Sequence, residues 1–333
     1  MKTYIFKRLL LLVPTLIGIT LITFAIIQLA PGSPVERKLQ LAEGIKAEEI
    51  TQDIVEQTKK LYGLDKPIHI RYWIWVKQIA TLNFGTSYKD HRPVIDKIAE
   101  RLPVTLALSG ISIFLAYLIS IPIGILSAVR RGSITDRAIT FTLFALYSVP
   151  SFWMAIILIY FLGGGEHFDL FPIYGLTSTG AENYPFFKRA GDFIWHITLP
   201  VFCLTYADFA ALSRYQRGSL LEVLRANFVR TAVAKGLTNR VVIFKHALRN
   251  SLISIVTIVA SILPAMIGGS VIIESIFSIP GLGQLGFESV LSRDYPVIMA
   301  IATISSFLTL LGILISDLAY VLVDPRITFE GRS

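Results

Sequence analysis

Three carboxylates fall inside or beside long apolar runs of the 333-residue chain: Asp208, Glu274 and Asp317. An ionised carboxylate at mid-membrane costs roughly 3 kcal/mol on insertion scales, so such a group faces a wet cavity or a polar partner. Asp208 lies midway along its run. That position suits either a pathway that receives a cationic group or a structural hydrogen bond to a neighbouring span. Glu274 lies towards the end of its run, and Asp317 is within a turn or two of the surface, where Arg326 or water satisfies it. The five histidines, His69, His91, His167, His196 and His246, are dispersed. At loops or span edges they read as solvated or interfacial side chains, not metal ligands. Gly281-x-Gly283-x-x-Gly286 matches a dinucleotide fingerprint in letters, but it follows an apolar run of helix length instead of a strand and reads as a turn. No Gly-x-x-x-x-Gly-Lys-Ser/Thr, His-Glu-x-x-His or Gly-x-Ser-x-Gly occurs, so the chain supplies no ATP chemistry by a phosphate loop. An intramembrane hydrolase needs two catalytic groups at similar depth, and only Asp208 is well inside. No catalytic residue and no metal site is assigned.

The elements that would position these groups are membrane spans. The chain is 53% hydrophobic and 16% charged, where a soluble domain carries about a quarter charged residues. The apolar residues gather in six blocks near the roughly 20-residue length of a spanning helix, at 9–30, 104–129, 138–162, 197–213, 251–277 and 297–321. The fourth is short and contains Asp208. The first exceeds the h-region of a secretory signal and reads as an uncleaved anchor. Five blocks hold an internal proline (Pro14, Pro122, Pro150, Pro200 and Pro264), which removes a backbone donor and kinks a helix. Bent helices suit a cavity that opens to alternate sides; proline is also simply commoner in membrane helices. The lone Cys203 excludes an intramolecular disulfide and reads as a small buried hydrophobe.

A net charge of +8 raises nucleic acid as a partner, but the basic residues follow the spans. Segments 1–8, 130–137, 214–250 and 322–333 hold 16 of the 31 Lys and Arg, against three in 163–196 and 278–296 and twelve in 31–103. The last segment is too long to count fully in the positive-inside rule. The balance puts both termini in the cytoplasm.

Two connecting segments stand out. Residues 31–103 have the composition of a folded, mainly helical appendage. Ile50, Ile54, Thr58 and Leu61 share a helical face that ends at Gly63 and Pro67. The run Ile70–Val76 suits either the membrane interface or the appendage's own core. Residues 214–250 carry eight Lys/Arg and one acid, Glu222. Leu221, Leu224, Phe228 and Ala232 mark one apolar face of a helix over 221–235, Gly236 ends it with a left-handed cap, and Thr238 caps the next. A basic helix–turn–helix between two spans suits a docking element, with Leu224 and Phe228 entering an apolar groove of a soluble partner.

Phe228-Val229-Arg230-Thr231-Ala232-Val233-Ala234-Lys235-Gly236-Leu237 resembles the loop by which ATP-binding-cassette importer permeases engage their ATPases. The general motif is Glu-Ala-Ala, three residues, then Gly. Arg230, Thr231 and Ala232 take the first three places here and Gly236 the last, without the motif's acid or its downstream Leu-Pro. With His246–Asn250, the version is similar to the dipeptide/oligopeptide/nickel branch. Ala30-Pro31-Gly32, Tyr62–Pro67, Arg92–Val94, Glu100–Pro103, Ser148–Trp153, Gly269–Glu274, Pro280–Gly283 and Asp324–Arg326 agree in order along nearly the whole chain.

The resemblance implies an all-α permease of the first-subunit type. Its fold is a six-helix membrane bundle with a helical periplasmic insertion between the first two helices. The parts are then 1–30 (cytoplasmic end and first span), 31–103 (periplasmic appendage) and 104–333 (five-helix core with coupling loop 214–250). ATPase coupling falls to Leu224, Phe228, Arg230, Thr231, Ala232, Lys235 and Gly236, and the pathway to Asp208 and Glu274. The implied location is the bacterial inner membrane. Implied partners are a second permease, two ATPases that use ATP and Mg, and an external solute-binding protein. The cargo is a dipeptide or oligopeptide, or nickel in the same machinery, with no cofactor on this chain and no nucleic acid. An ion-coupled transporter using Asp208 would need no docking turn.

Overall fold

The computed structural model describes residues 2–29, 65–164, 167–252, 255 and 270–323. The described elements are helical apart from one isolated bridge between Thr86 and Pro93. Ten helices carry the account. They are α1 (Lys2–Leu29), α2 (Ile68–Ala80), α3 (Val94–Val129), α4 (Ile134–Tyr147) and α5 (Ser151–Leu162), then α6 (Phe186–Val223), α7 (Asn227–Ala234), α8 (Val271–Ile276), α9 (Leu282–Ser292) and α10 (Tyr295–Val323). The chain divides into two compact units, residues 1–104 with 281–310 and residues 105–280 with 311–333.

Four helices are long and apolar enough to cross a membrane: Leu9–Leu29, Val94–Val129, Phe186–Val223 and Tyr295–Ile315. The third expected span is not one rod. Residues Ile134–Tyr147 and Ser151–Leu162 meet at a 95° bend. Pro150 stands at the cap of α5, outside any helix interior. It lacks an N–H and disfavours α geometry at Val149, so the helix stops there. The Tyr206 hydroxyl donates to the Val149 carbonyl at the break. The span expected at 197–213 lies within a 38-residue helix, with Pro200 inside it. The second begins at Val94, ahead of the expected 104. Most of the span expected at 251–277, with Pro264, lies outside the described residues. So do the face Ile50–Leu61, Gly63, and the strings Asp324–Arg326 and Ala30–Gly32. Among the described residues the spans number four, or five if the bent pair is one.

In the first unit, Phe84, Val94, Ile98, Leu282, Leu285, Val297 and Ala300 form a buried core. It explains a departure from expectation at Gly281–Gly286. This stretch is not a turn, because Gly281 precedes α9, and Leu282 and Leu285 bury their side chains at helical spacing. The loop before α3 is held by Asp294, whose carboxylate accepts from the Ser87 hydroxyl and from the Tyr88 amide at 2.9 Å. Asp90 accepts from Lys97 Nζ at 2.7 Å and from the Arg92 amide at 3.2 Å. Burial alone would raise the Asp90 carboxyl, but these hydrogen bonds outweigh it and pull the group down to about 2.

The aromatic run packs in a way that neither expectation named, against the first span. Tyr72 and Trp75 pack on Phe24 of α1, with ring centroids 5.4 and 5.8 Å away, and Trp73 points outward, 67% exposed. In the second unit, Ala116, Leu143, Tyr206, Phe209, Ala210 and Leu212 join α3, α4 and α6.

Candidate functional site

The expected docking helix over 221–235 is two pieces. The long helix α6 ends at Val223, and α7 restarts at Asn227. The break redistributes the apolar face. Val229 and Ala232 face a core shared with Ala128, Leu220, Val242 and Ala247, and Leu224 packs against its edge. Phe228 turns outward, 45% exposed, and Val233, Leu237 and Phe244 are exposed as well. Sequence periodicity read one continuous stripe, whereas the break divides it: Ala232 packs inside beside Val229, and Phe228 lies outside.

Gly236 closes α7 with φ of 78°. The Gly236 amide donates to the Val233 carbonyl at 2.9 Å and the Leu237 amide to the Ala232 carbonyl at 3.4 Å. This pair of bonds is the Schellman pattern, which satisfies carbonyls that a helix end leaves open. Thr238 sits at the start of the next short helix, Asn239–Val241, but its side chain makes no capping hydrogen bond. A stretch of wider, π-type winding follows over Val242–Ala247. Among the proposed coupling residues, Arg230, Thr231 and Lys235 are exposed on α7 or its cap.

This element is joined to two long helices. Ala128 belongs to the end of α3, and Leu220 to the end of α6. Gln216 Nε2 donates to Ser251 Oγ at 3.0 Å, and Ser219 Oγ donates to the Ser251 carbonyl at 3.0 Å. At Gly124 the helices α3 and α6 approach so closely that a Cβ would lie 2.6 Å from the Ser213 carbonyl oxygen. Small residues at such a crossing let backbones meet inside a membrane bundle. The core that holds α7 is therefore shared with the ends of both α3 and α6.

An ion pair that sequence reading missed braces the same region. Arg217 grips Asp136 through Nε at 3.0 Å and Nη2 at 2.9 Å. Ser127 also donates to that carboxylate, and the Gly132 amide does so at 2.9 Å. The only local signal was Ser133 three residues before Asp136, a helix-start pattern; the Ser133 hydroxyl accepts from the Asp136 amide at 3.2 Å. Nothing in the sequence pairs Asp136 with a residue 81 positions away.

Asp208 and Glu274, separate in sequence, line one cavity of about 160 Å³ with Ser109, Ser112 and Ser270. Glu274 is 2% exposed and accepts from Thr105 Oγ1 at 3.2 Å. It sits on α8, whose start is capped by the Ser270 hydroxyl. Ser112 Oγ is buried with no hydrogen-bond partner among the described residues. Two acids and a spare hydroxyl make a cavity suited to a cationic or multiply donating group. His196, expected at a solvated edge, is instead 5% exposed inside α6, with Nδ1 2.9 Å from the Asp192 carbonyl oxygen. The side chain of Asp317 and all of Arg326 lie outside the residues whose side chains are described.

The sequence family described as "Binding-protein-dependent transport system inner membrane component" matches residues 120–329. Its N-terminal companion, described as "Binding-prot-dependent transport system membrane comp, N-term", matches residues 1–109. The oligopeptide transport system permease protein AppB of Bacillus subtilis is 42% identical over 330 residues, covering 99% of this chain and 100% of that protein. The dipeptide transport system permease protein DppB of Escherichia coli K12 is 35% identical over 344 residues, covering 98% and 99%. The inner membrane ABC transporter permease protein YejB of Escherichia coli O157:H7 is 36% identical over 364 residues, covering 100% of both. Among solved structures, a chain of the MetNI methionine ABC transporter in inward-facing conformation superposes with a TM-score of 0.53. It shares 19% identity and covers 68% of this chain and 96% of its own.

Proposed function

Because the chain belongs to the family of binding-protein-dependent transport system inner-membrane components, we propose that it is one permease subunit of an ATP-driven importer of dipeptides or oligopeptides. The relatives named for oligopeptide and dipeptide transport support the cargo. The machinery would comprise this chain, a second permease, two ATPases that use ATP and Mg, and an external binding protein that selects the peptide. The chain would lie in the bacterial inner membrane with both termini in the cytoplasm, residues 31–103 outside and 214–250 inside. The orientation rests on the distribution of Lys and Arg.

The observation that carries the reading is the α7–Gly236 element. It presents exposed Phe228, Val233, Leu237 and Phe244 beside Arg230 and Lys235, while its inner face is packed on the ends of α3 and α6. A soluble ATPase with an apolar groove and an acidic rim would take such a knob. Its motion would pass through Val229, Ala232 and Leu220 into the spans, and the cavity between the two permeases would open to alternate sides. Asp208 and Glu274 would line that pathway and receive the ammonium group of a peptide.

The test is co-purification of the ATPases together with peptide-stimulated ATP hydrolysis in vesicles. Phe228→Asp changes an exposed side chain and should leave the permease in the membrane while ATPase retention and stimulation fall severalfold. Leu224→Asp should act similarly, with added local unfolding because Leu224 packs on the core. Lys59→Ala, far along the chain, should leave both unchanged. Wild-type retention and stimulation in Phe228→Asp would remove α7 from the coupling route.

A further inference from the structure

A second, larger cavity lies wholly within the first unit. It has a volume of about 570 Å³, within the range of ligand pockets, roughly 300–1,000 Å³. Its lining includes the basic side chains Lys66, Arg71 and His91 with Tyr88 and Tyr295, and the apolar side chains Phe24, Ile74, Trp75 and Met299. None of the ion pairs between described residues involves Lys66 or Arg71. Burial pulls the Arg71 guanidinium below its ordinary value, partly offset by Tyr88 and Tyr295, so the cation sits in a partly dry setting. No Asp or Glu is among the described lining residues; Asp294, next to Tyr295, is turned to Ser87 and the Tyr88 amide, and Asp90, next to His91, is taken by Lys97.

Position adds a second constraint. Phe24 lies in the last two turns of the span Leu9–Leu29, and Tyr295 opens the span Tyr295–Ile315. The cavity therefore sits at the height where two spans meet one membrane surface. Beside it, α2 exposes Ile68, Ile70 and Trp73. An amphipathic helix with outward indole and aliphatic groups settles at the boundary between headgroups and acyl chains.

We propose that this cavity binds the headgroup of an anionic phospholipid. The lipid comes from the leaflet that meets the C-terminal end of α1. Its phosphate sits on Arg71 and Lys66, and the start of an acyl chain lies along Phe24, Ile74 and Met299. Guanidinium and ammonium groups are matched to a phosphate, Arg71 through two parallel hydrogen bonds. The apolar lining argues against a small free anion, which would leave the exposed part of Ile74 and Met299 uncovered. A neutral-headgroup lipid would cover the apolar lining and still leave two cations without an anion.

The experiment uses the purified full chain in detergent, in whatever assembly it retains. Dissociation constants are read by native mass spectrometry for phosphatidylglycerol and for phosphatidylcholine with identical acyl chains, and inorganic phosphate is titrated separately. Phosphatidylglycerol should bind about tenfold tighter than phosphatidylcholine, the equivalent of one charge-assisted contact. Arg71→Gln with Lys66→Gln should abolish the preference. Arg130→Gln with Arg131→Gln, which removes charge at the far end of α3, should keep it. Met299→Trp, which fills space at the apolar lining and leaves both cations in place, should weaken both lipids together. The proposal fails if wild-type protein binds the two lipids equally, which needs no variant to establish. It fails equally if the Arg71/Lys66 double variant keeps the preference, if the Arg130/Arg131 double variant loses it, or if inorganic phosphate competes at the same concentration as the lipid. The readout is lipid binding and not transport, so it stands or falls apart from the importer reading.

Discussion

At Gly236 a Cβ would meet nothing within 4 Å, so any cost of substitution there comes from the left-handed backbone alone. That cost is about 1–2 kcal/mol for an ordinary L residue, less for asparagine, and greatest for a β-branched side chain. We expect Gly236→Asn to keep most ATPase association, Gly236→Ala to lose part of it and Gly236→Val to lose most. Co-purification of the ATPases measures the order, and equal loss in all three would point to a steric contact with the partner instead of a backbone requirement. Asp208 calls for a different substitution. Asp208→Asn keeps shape and removes charge at a cavity that it shares with the buried Glu274. If the pair receives a peptide ammonium, the apparent KM for uptake of a free-amino peptide should rise about tenfold. An N-acetylated peptide should be indifferent to the change, and identical effects on both peptides would leave Asp208 a structural role.

The Asp136–Arg217 pair belongs to the scale of elements, because it fastens the α3–α4 connection to α6. Asp136 is 5% exposed and accepts four hydrogen bonds, two of them from Arg217. Removing one partner leaves the other partly buried and unpaired, which costs about 2 kcal/mol. Arg217→Gln and Asp136→Asn should each lower the apparent unfolding temperature in detergent, and the double variant should lose less than the two losses combined. Full additivity would mean that the two side chains do not interact in solution. The α7 break shows the same scale from another side: separation of Leu224 from Asn227 by one turn of chain decides that Val229 is buried and Phe228 exposed.

For the whole molecule the consequence is orientation. Cys203 is 2% exposed, shielded from an aqueous reagent, and Cys203→Ala, which removes one buried sulfur, leaves the chain free of thiols. In that background a cysteine at Thr179 should label from outside with an impermeant reagent, as should one at Lys59. A cysteine at Asn239, exposed in the turn after Gly236, should label only from the cytoplasm. External labelling of the Asn239 position in intact cells would invert the proposed arrangement and take the coupling element with it.

Long-range apolar patterning and local turn chemistry were legible before any coordinates. The spans at 9–30, 104–129 and 297–321 each fall on a long described helix, because about 20 apolar residues have few other solutions in lipid. Gly236 was legible for a similar reason: a helix that ends on glycine leaves carbonyls that a left-handed residue can close. Tertiary structure decided what depends on residues distant in sequence. The expected third span breaks at Pro150, where α5 starts anew and the Tyr206 hydroxyl reaches the open Val149 carbonyl. Periodicity put Leu221, Leu224, Phe228 and Ala232 on one face because it assumes one unbroken helix, and packing against Ala128 and Val242 divides that face, taking Ala232 inside with Val229 and leaving Phe228 exposed. Asp208 and Glu274 were each visible as costly acids, yet only folding brings them to one cavity. The pairing of Asp136 with Arg217 was not legible, since two residues 81 positions apart leave no mark in local spacing. Spacing along a chain records which face a residue takes within its own element, whereas contact between elements is set by their packing.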